Sequence, residues 1–344
     1  VTAADSWPAP AHGWLLAGLR ALGRRRPGPP PPPELDWPAT LAAADAEDLL
    51  PALAHLAGAF PDAVVPAAVR ERLTREGRGA RARHLVMTAE LGRVLRRCRA
   101  VGLPVIVLKG PVLAETVYPE PALRPFSDLD LLVRPADRLA MDALLRDLGL
   151  RRVADEHTWE FDIAWDGATL YEAPGGVRVD LHWSLLTEPR FAWSPGAQAE
   201  VWGRAVPVTV AGETGLQLGR EDLVLHLAAH LAVHHSLAGT LRYWDVALVL
   251  ERAGADLDWK ALLARARRWR VQRALFFVLH GARARFDAPV PPEILAALRP
   301  RGPRAAALAA LLRVVAPARL PRVEYLVTLL LADRGRDLAG ALRE

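Results

Sequence analysis

Val105-Ile-Val-Leu-Lys-Gly110 and Phe126-Ser-Asp-Leu-Asp-Leu-Leu-Val133 are the two stretches whose reading decides the fold. The first is a short, β-branched run that stops at Lys-Gly-Pro, which reads as a strand over 105–108 turning into a helix over 111–118. Pro111 then takes the first helical position, where its missing N–H costs nothing. The second stretch reads as a strand over 129–133. Alternation along it puts Asp128 and Asp130 on one face, with Leu129, Leu131 and Val133 on the other. Strand, turn, helix and strand together predict an α+β core.

Two carboxylates side by side on a strand repel each other unless a cation lies between them. Asp128 and Asp130 are therefore candidate ligands of a divalent metal. The turn just upstream is a candidate phosphate-binding element. Its helix start offers free N–H groups, Gly110 permits close backbone approach, and Lys109 adds a point charge. A third carboxylate comes from Val177-Arg-Val-Asp-Leu-His-Trp183, where Asp180 and His182 alternate with Val179, Leu181 and Trp183. If this strand lies beside the one bearing Asp128 and Asp130, three oxygen donors converge. Such a set suits Mg²⁺ or Mn²⁺.

Working outward, residues 8–23 predict a short helix, followed by a basic, proline-rich joint from Arg24 to Pro33 that runs extended. Residues 40–102 are helical by periodicity, the last helix covering 81–100 before Gly102 and Pro104. After the second core strand come a helix over 135–148 and strands over 159–165, 168–172, 177–183 and 206–210, separated by Asp166-Gly167 and Pro174-Gly175-Gly176 turns. Helices are expected over 221–235, 241–253, 259–282, 292–298, 304–315 and 322–331. The expected layout is an N-terminal helix and joint (1–39), a helical region (40–100), a small mixed sheet with flanking helices (101–215) and a helical C-terminal domain (216–344).

The chain has 344 residues, about half of them hydrophobic, and a net charge of +5. Only Lys109 and Lys260 are lysines, so 42 of the 44 basic residues are arginine. Lysine at 109 is thus a chemical choice against the prevailing cation. The basic excess is modest and reads mainly as a solvated, arginine-rich surface; it admits nucleic-acid binding without supporting it. No apolar run reaches the roughly 18 residues of a membrane span. One cysteine, Cys98, excludes an internal disulfide framework, and with no secretory signal evident the expected location is the cytoplasm.

Gly110, the Asp128-Leu-Asp130 strand and Asp180 on a later strand resemble the DNA polymerase beta-type nucleotidyltransferase superfamily. More closely, Leu108-Lys-Gly110, Tyr118, Arg124, the run Ser127 to Val133, Asp180-Leu-His-Trp183 and Arg242-Tyr-Trp-Asp245 look like an uncharacterised bacterial nucleotidyltransferase family. The motif-bearing part spans about 101–185, with weaker likeness to about 255. The resemblance implies a nucleotidyltransferase-type sheet and a two-metal transfer of a nucleoside monophosphate from an NTP, ATP by default, to a hydroxyl or phosphate acceptor. In it Asp128 and Asp130 bind two Mg²⁺ or Mn²⁺ ions, and Asp180 is both ligand and base. Lys109, Gly110 and Ser127 belong to the nucleotide grip. The superfamily usually has a small residue where Lys109 sits. Arg124, in a long Gly110-to-Asp128 interval, is a candidate phosphate contact against an ordinary surface arginine.

His226, His230 and His234 recur every four residues, with His235 adjacent. No glutamate lies between the first two as a hydrolytic base, so a metalloprotease reading fails. A packed helix whose histidines bond to backbone or acids is the leading expectation. A zinc site, or a cleft role for His230 and His234 beside His182, are the others. Arg242 and Asp245, three apart on the next helix, are expected to pair or to orient these histidines. Two alternatives to nucleotidyl transfer stay open: a non-catalytic nucleotide- or RNA-binding regulatory module, and transfer of another group, such as a sugar, by the same metal site.

Overall fold

The computed structural model describes residues 9–153, 167–185, 195–315, 327, 330 and 331. The expected strand over 159–165 and most of the expected helix over 322–331 lie outside them. The chain is α+β, with a seven-stranded mixed sheet in the order β3-β4-β5-β2-β1-β7-β6. The strands are β1 (Ile106–Val107), β2 (Asp128–Leu132), β3 (Arg151–Arg152), β4 (Ala168–Glu172), β5 (Arg178–His182), β6 (Val206–Val210) and β7 (Glu213–Gln217).

Helices α1 (Ala9–Gly23), α2 (Trp37–Ala46), α3 (Leu50–Gly58) and α4 (Ala67–Ala100) precede the sheet. α5 (Gly110–Thr116) follows β1, α6 (Arg138–Asp147) follows β2, and α7 (Pro195–Arg204) precedes β6. The C-terminal helices are α8 (Arg220–Val233), α9 (Thr240–Ala253), α10 (Trp259–Trp269), α11 (Gln272–Phe286), α12 (Pro292–Leu298) and α13 (Pro303–Val315).

Strand alternation sorts the sheet into two faces. Leu129, Leu131 and Val133 join Val179, Leu181 and Trp183 in a core closed by Leu91, Val94 and Leu95 of α4 and by Met141, Leu144 and Leu145 of α6. On the opposite face, Ile106, Leu108 and Leu132 belong to a larger core shared by α1 to α3 and the C-terminal helices. The acidic side chains of β2 and β5 lie on this second face. Arg20 of α1 donates to the Arg285 carbonyl of α11, which joins the first helix directly to the C-terminal helices.

Several expectations change, and β3 and α7 have no counterpart in the expected layout. α4 begins at Ala67 rather than 81, running through Gly77 and Gly79. The single helix expected over 259–282 is two, because Arg270 takes a left-handed conformation (φ 57°) and closes α10. β7 was not expected at all. Its Glu-Thr-Gly-Leu-Gln sequence has little β-branched character, and it forms through antiparallel pairing with β6 and parallel pairing with β1.

Candidate active site

β2 and β5 pair in parallel, with Asp130 directly opposite Asp180 and Leu132 opposite His182. Neighbouring strands stand about 4.8 Å apart, so the two carboxylates are brought together by register alone. His182, two residues on from Asp180, shares its face. Its Nε2 donates to Asp130 Oδ1 at 3.0 Å and lies 3.4 Å from Asp180 Oδ2. Asp130, Asp180 and His182 each offer a ligand atom within 4.8 Å of the others, the one such group of three among the described residues. Of the three carboxylates expected as metal ligands, two therefore fall in this cluster, and His182 joins them. Asp128 is half-buried on the same face, beside but not within the group.

Lys109 completes the local charge balance. Its Nζ sits 3.0 Å from Asp130 Oδ1, and both side chains are largely buried. The residue adopts φ 44° and ψ −113°, a conformation that side chains other than glycine seldom take. This turn swings the ammonium back over β2 instead of outward. Gly110 has an ordinary backbone, and its lack of a side chain has a local cause. A Cβ there would lie 2.7 Å from the Phe126 Cβ. The closeness expected toward a ligand is thus closeness to the residue that leads into Ser127 and Asp128. Ser127 itself is exposed at the start of β2.

The electrostatics follow from this crowding. Burial would raise the Asp130 carboxyl, but Lys109 and His182 hold it well below the usual range. Burial and then the Asp130 charge raise Asp128. Burial pulls His182 down, yet its bonds to Asp130 and Asp180 outweigh that and lift it to about 9.

Arg124 is neither a surface arginine nor a free phosphate contact. Its Nε and Nη2 grip Asp245 of α9 at 2.9 Å each, and its Nη1 donates to the Pro125 carbonyl. The Tyr118 hydroxyl donates to the same Asp245 carboxylate at 2.6 Å. The expected pairing of Arg242 with Asp245 gives way to this clamp, and Arg242 lies 3.6 Å from Asp48 instead. The interval between α5 and β2 is thereby tied to the C-terminal helices, immediately before the acidic strand.

The histidines of α8 do not bond to backbone or acids as expected. His226, His230 and His234 form a file of rings, with centroids 6.2 and 4.9 Å apart, and His235 Nε2 lies 3.2 Å from His230 Nε2. His226 is 3% exposed, and neither of its nitrogens has a partner among the described residues. Burial, then the Lys109 charge, lowers His226 and His230 well below the usual histidine range, while His235 is lowered to about 3. The helix therefore presents neutral imidazoles toward the Lys109–Asp130 side. A separate cavity of about 330 Å³, lined by His55, Arg70, Arg78, Arg81 and Glu120 among others, includes none of Asp128, Asp130 and Asp180.

These shifts set a pH optimum for stability. His226 and His230 have folded pKa values below their unfolded value of about 6.5, so the unfolded chain binds protons that the folded one refuses. Stability is then lost as pH falls below about 6.5, approaching about 2.7 kcal/mol per pH unit for two groups. His182 has the opposite sign: its contribution is complete below about 6.5 and is lost as pH rises toward 9, at about 1.4 kcal/mol per unit. The melting temperature of metal-free protein is expected to peak near pH 6.5–7, and His226→Phe should flatten the acid limb. An acid limb unchanged in that variant would contradict the assignment.

Comparison with known proteins bears on what this cluster serves. No curated protein matches the chain. Among solved structures, the antibiotic-resistance factor ANT(2″)-Ia in solution aligns at 18% identity and TM-score 0.39, over 53% of this chain and 91% of that one. The crystal structure of ANT(2″)-Ia with adenylyl-2″-tobramycin aligns at 18% and 0.39, over 53% and 97%. An antigenic nucleotidyltransferase-like protein from Paracoccidioides brasiliensis aligns at 13% and 0.32, over 55% and 91%. A family described as "Uncharacterised nucleotidyltransferase" matches residues 33–287, a span that holds α2 to α11, the whole sheet and every candidate residue above. The chain belongs to that nucleotidyltransferase family.

Proposed function

We propose that this protein transfers a nucleoside monophosphate from an NTP, with ATP the donor to test first, to a hydroxyl or phosphate acceptor. The observation that carries this reading is the parallel register of β2 and β5, which sets Asp130 beside Asp180 within a nucleotidyltransferase family member. The acceptor oxygen would attack the α-phosphorus, a new P–O bond forming as the bond to the β-phosphate oxygen breaks and pyrophosphate leaves. Asp180, the more exposed of the two carboxylates in the three-residue cluster (side chain 33% exposed), would take the acceptor proton. Divalent metal, as one or two Mg²⁺ or Mn²⁺ ions on Asp128, Asp130 and Asp180, would supply charge neutralisation and Lewis acidity to the phosphates. The donor set fits such an ion, since the crowded carboxylates already draw the Lys109 ammonium onto Asp130. Lys109 would then turn from Asp130 to the triphosphate, whose charge it can share. The catalytic core would comprise residues 101–215.

One observation favours a second reading. Asp130 is already neutralised by Lys109 and His182, as it would be in a nucleotide-binding module that catalyses nothing. Incubation with each α-³²P-labelled NTP, Mg²⁺ or Mn²⁺ and fractionated lysate separates the two. Transfer of label with release of pyrophosphate is expected. Nucleotide binding with no metal-dependent release of pyrophosphate from any NTP would leave only the binding module. No helix among the described residues is long and apolar enough to cross a membrane.

A further inference from the structure

We infer that His182 is itself a metal ligand, with Asp130 and Asp180, and that the site therefore takes a first-row transition ion such as Mn²⁺ in preference to Mg²⁺. The inference rests on the metal-dependent reading above and adds the ligand that decides which ion is held. Three lines of geometry carry it. The three donor atoms lie within 4.8 Å of one another, on adjacent strands held in register by backbone pairing. His182 is buried, at 8% exposed, and its ring packs against the carboxylates. Its Nε2 is aimed between them, at 3.0 Å from Asp130 and 3.4 Å from Asp180.

Unpaired imidazole nitrogens are a further oddity of this region. Among the described residues, His182 Nδ1 is buried without a partner, and so are both nitrogens of His226. Lys109, Asp130 and His182 are the foremost charges acting on His226. A buried polar atom left unpaired costs about 1–3 kcal/mol, so apolar side chains would serve the fold better at these places. Once the metal displaces the Nε2 proton now shared with Asp130 and releases it to solvent, imidazole nitrogen beside two carboxylates is a donor set for ions that accept nitrogen, whereas Mg²⁺ holds to oxygen ligands and water. His182 thus converts an oxygen-only site into a mixed one.

Pulsed EPR of Mn²⁺ on the full chain reads the ligand directly. Wild-type protein with one equivalent of Mn²⁺ is expected to show ¹⁴N modulation from a coordinated imidazole. The ¹⁴N pattern should vanish on uniform [¹⁵N]histidine labelling, which needs no mutation. It should also vanish in His182→Asn and persist in His226→Phe. Loss of His182 should weaken Mn²⁺ binding about 10- to 100-fold, with Mg²⁺ affinity, measured by competition, changed much less. Bound Mn²⁺ with no ¹⁴N modulation, or modulation that survives His182→Asn, overturns the inference while leaving metal-dependent transfer standing. Absence of any Mn²⁺ or Mg²⁺ binding by wild-type protein overturns both.

Discussion

Asp128→Asn is expected to lower nucleotidyl transfer by about 10³-fold or more, the scale of losing a charge needed chiefly in the transition state, while metal-free stability stays the same or rises. Both halves come from one arrangement. The Asp128 carboxyl is raised by burial and by its neighbour Asp130, so in the absence of a cation its negative charge is held at a cost. Among the described residues it forms no ion pair. Asparagine keeps the shape and removes the repulsion. Asp130 is the poorer test of mechanism, because it also neutralises Lys109 and His182. Removing it would leave two buried cations facing each other, and lost activity would be confounded with lost fold. The measurement is a labelled-NTP transfer assay beside thermal melting with and without Mn²⁺. Full activity in Asp128→Asn would remove this residue from the machinery, and a large drop in melting temperature would contradict the electrostatic account.

The second large effect is expected at a distance from the acids. Asp245→Ala should destabilise the protein by about 3–5 kcal/mol, the usual cost of stripping one partner from a buried ion pair. Asp245 is 2% exposed at its side chain and Arg124 13%, so the guanidinium would stay buried without its counter-charge. The Tyr118 hydroxyl would lose its acceptor as well. Replacing both partners by apolar residues, as Arg124→Met with Asp245→Leu, should recover most of the loss, since no charge is then stranded. Urea denaturation of the wild type and the two variants measures this, and a cost below about 1 kcal/mol for Asp245→Ala would show that the clamp is not structural. Because Arg124 lies only four residues before Asp128, transfer should fall in the double variant even where stability returns.

The parts of this site that could be read in the chain are those governed by local periodicity. Alternation in Asp128-Leu-Asp130 and in Val179-Asp-Leu-His-Trp183 correctly sorted acids from apolar residues, because side-chain direction on a strand depends only on parity. Family membership was legible from the same residues. The role of Arg124 was not. Its partner Asp245 is 121 residues away, and arginine is so common in this chain that one more carried no signal. The histidines misled for a related reason. Their four-residue spacing placed them on one face, but the file of rings they form depends on what that face meets.

By itself the sequence determined the strand–turn–helix–strand core, the face on which Asp128, Asp130, Asp180 and His182 lie, and the oddity of a lysine at 109. Tertiary structure alone decided that β5 pairs with β2 in the register that joins Asp130 to Asp180, that Lys109 turns inward onto Asp130, and that Asp245 clamps the interval leading to the acidic strand. The reason is physical: side-chain parity is set by each residue's immediate neighbours, whereas register and charge pairing arise from contacts between segments 20 to 120 residues apart, which local pattern does not encode.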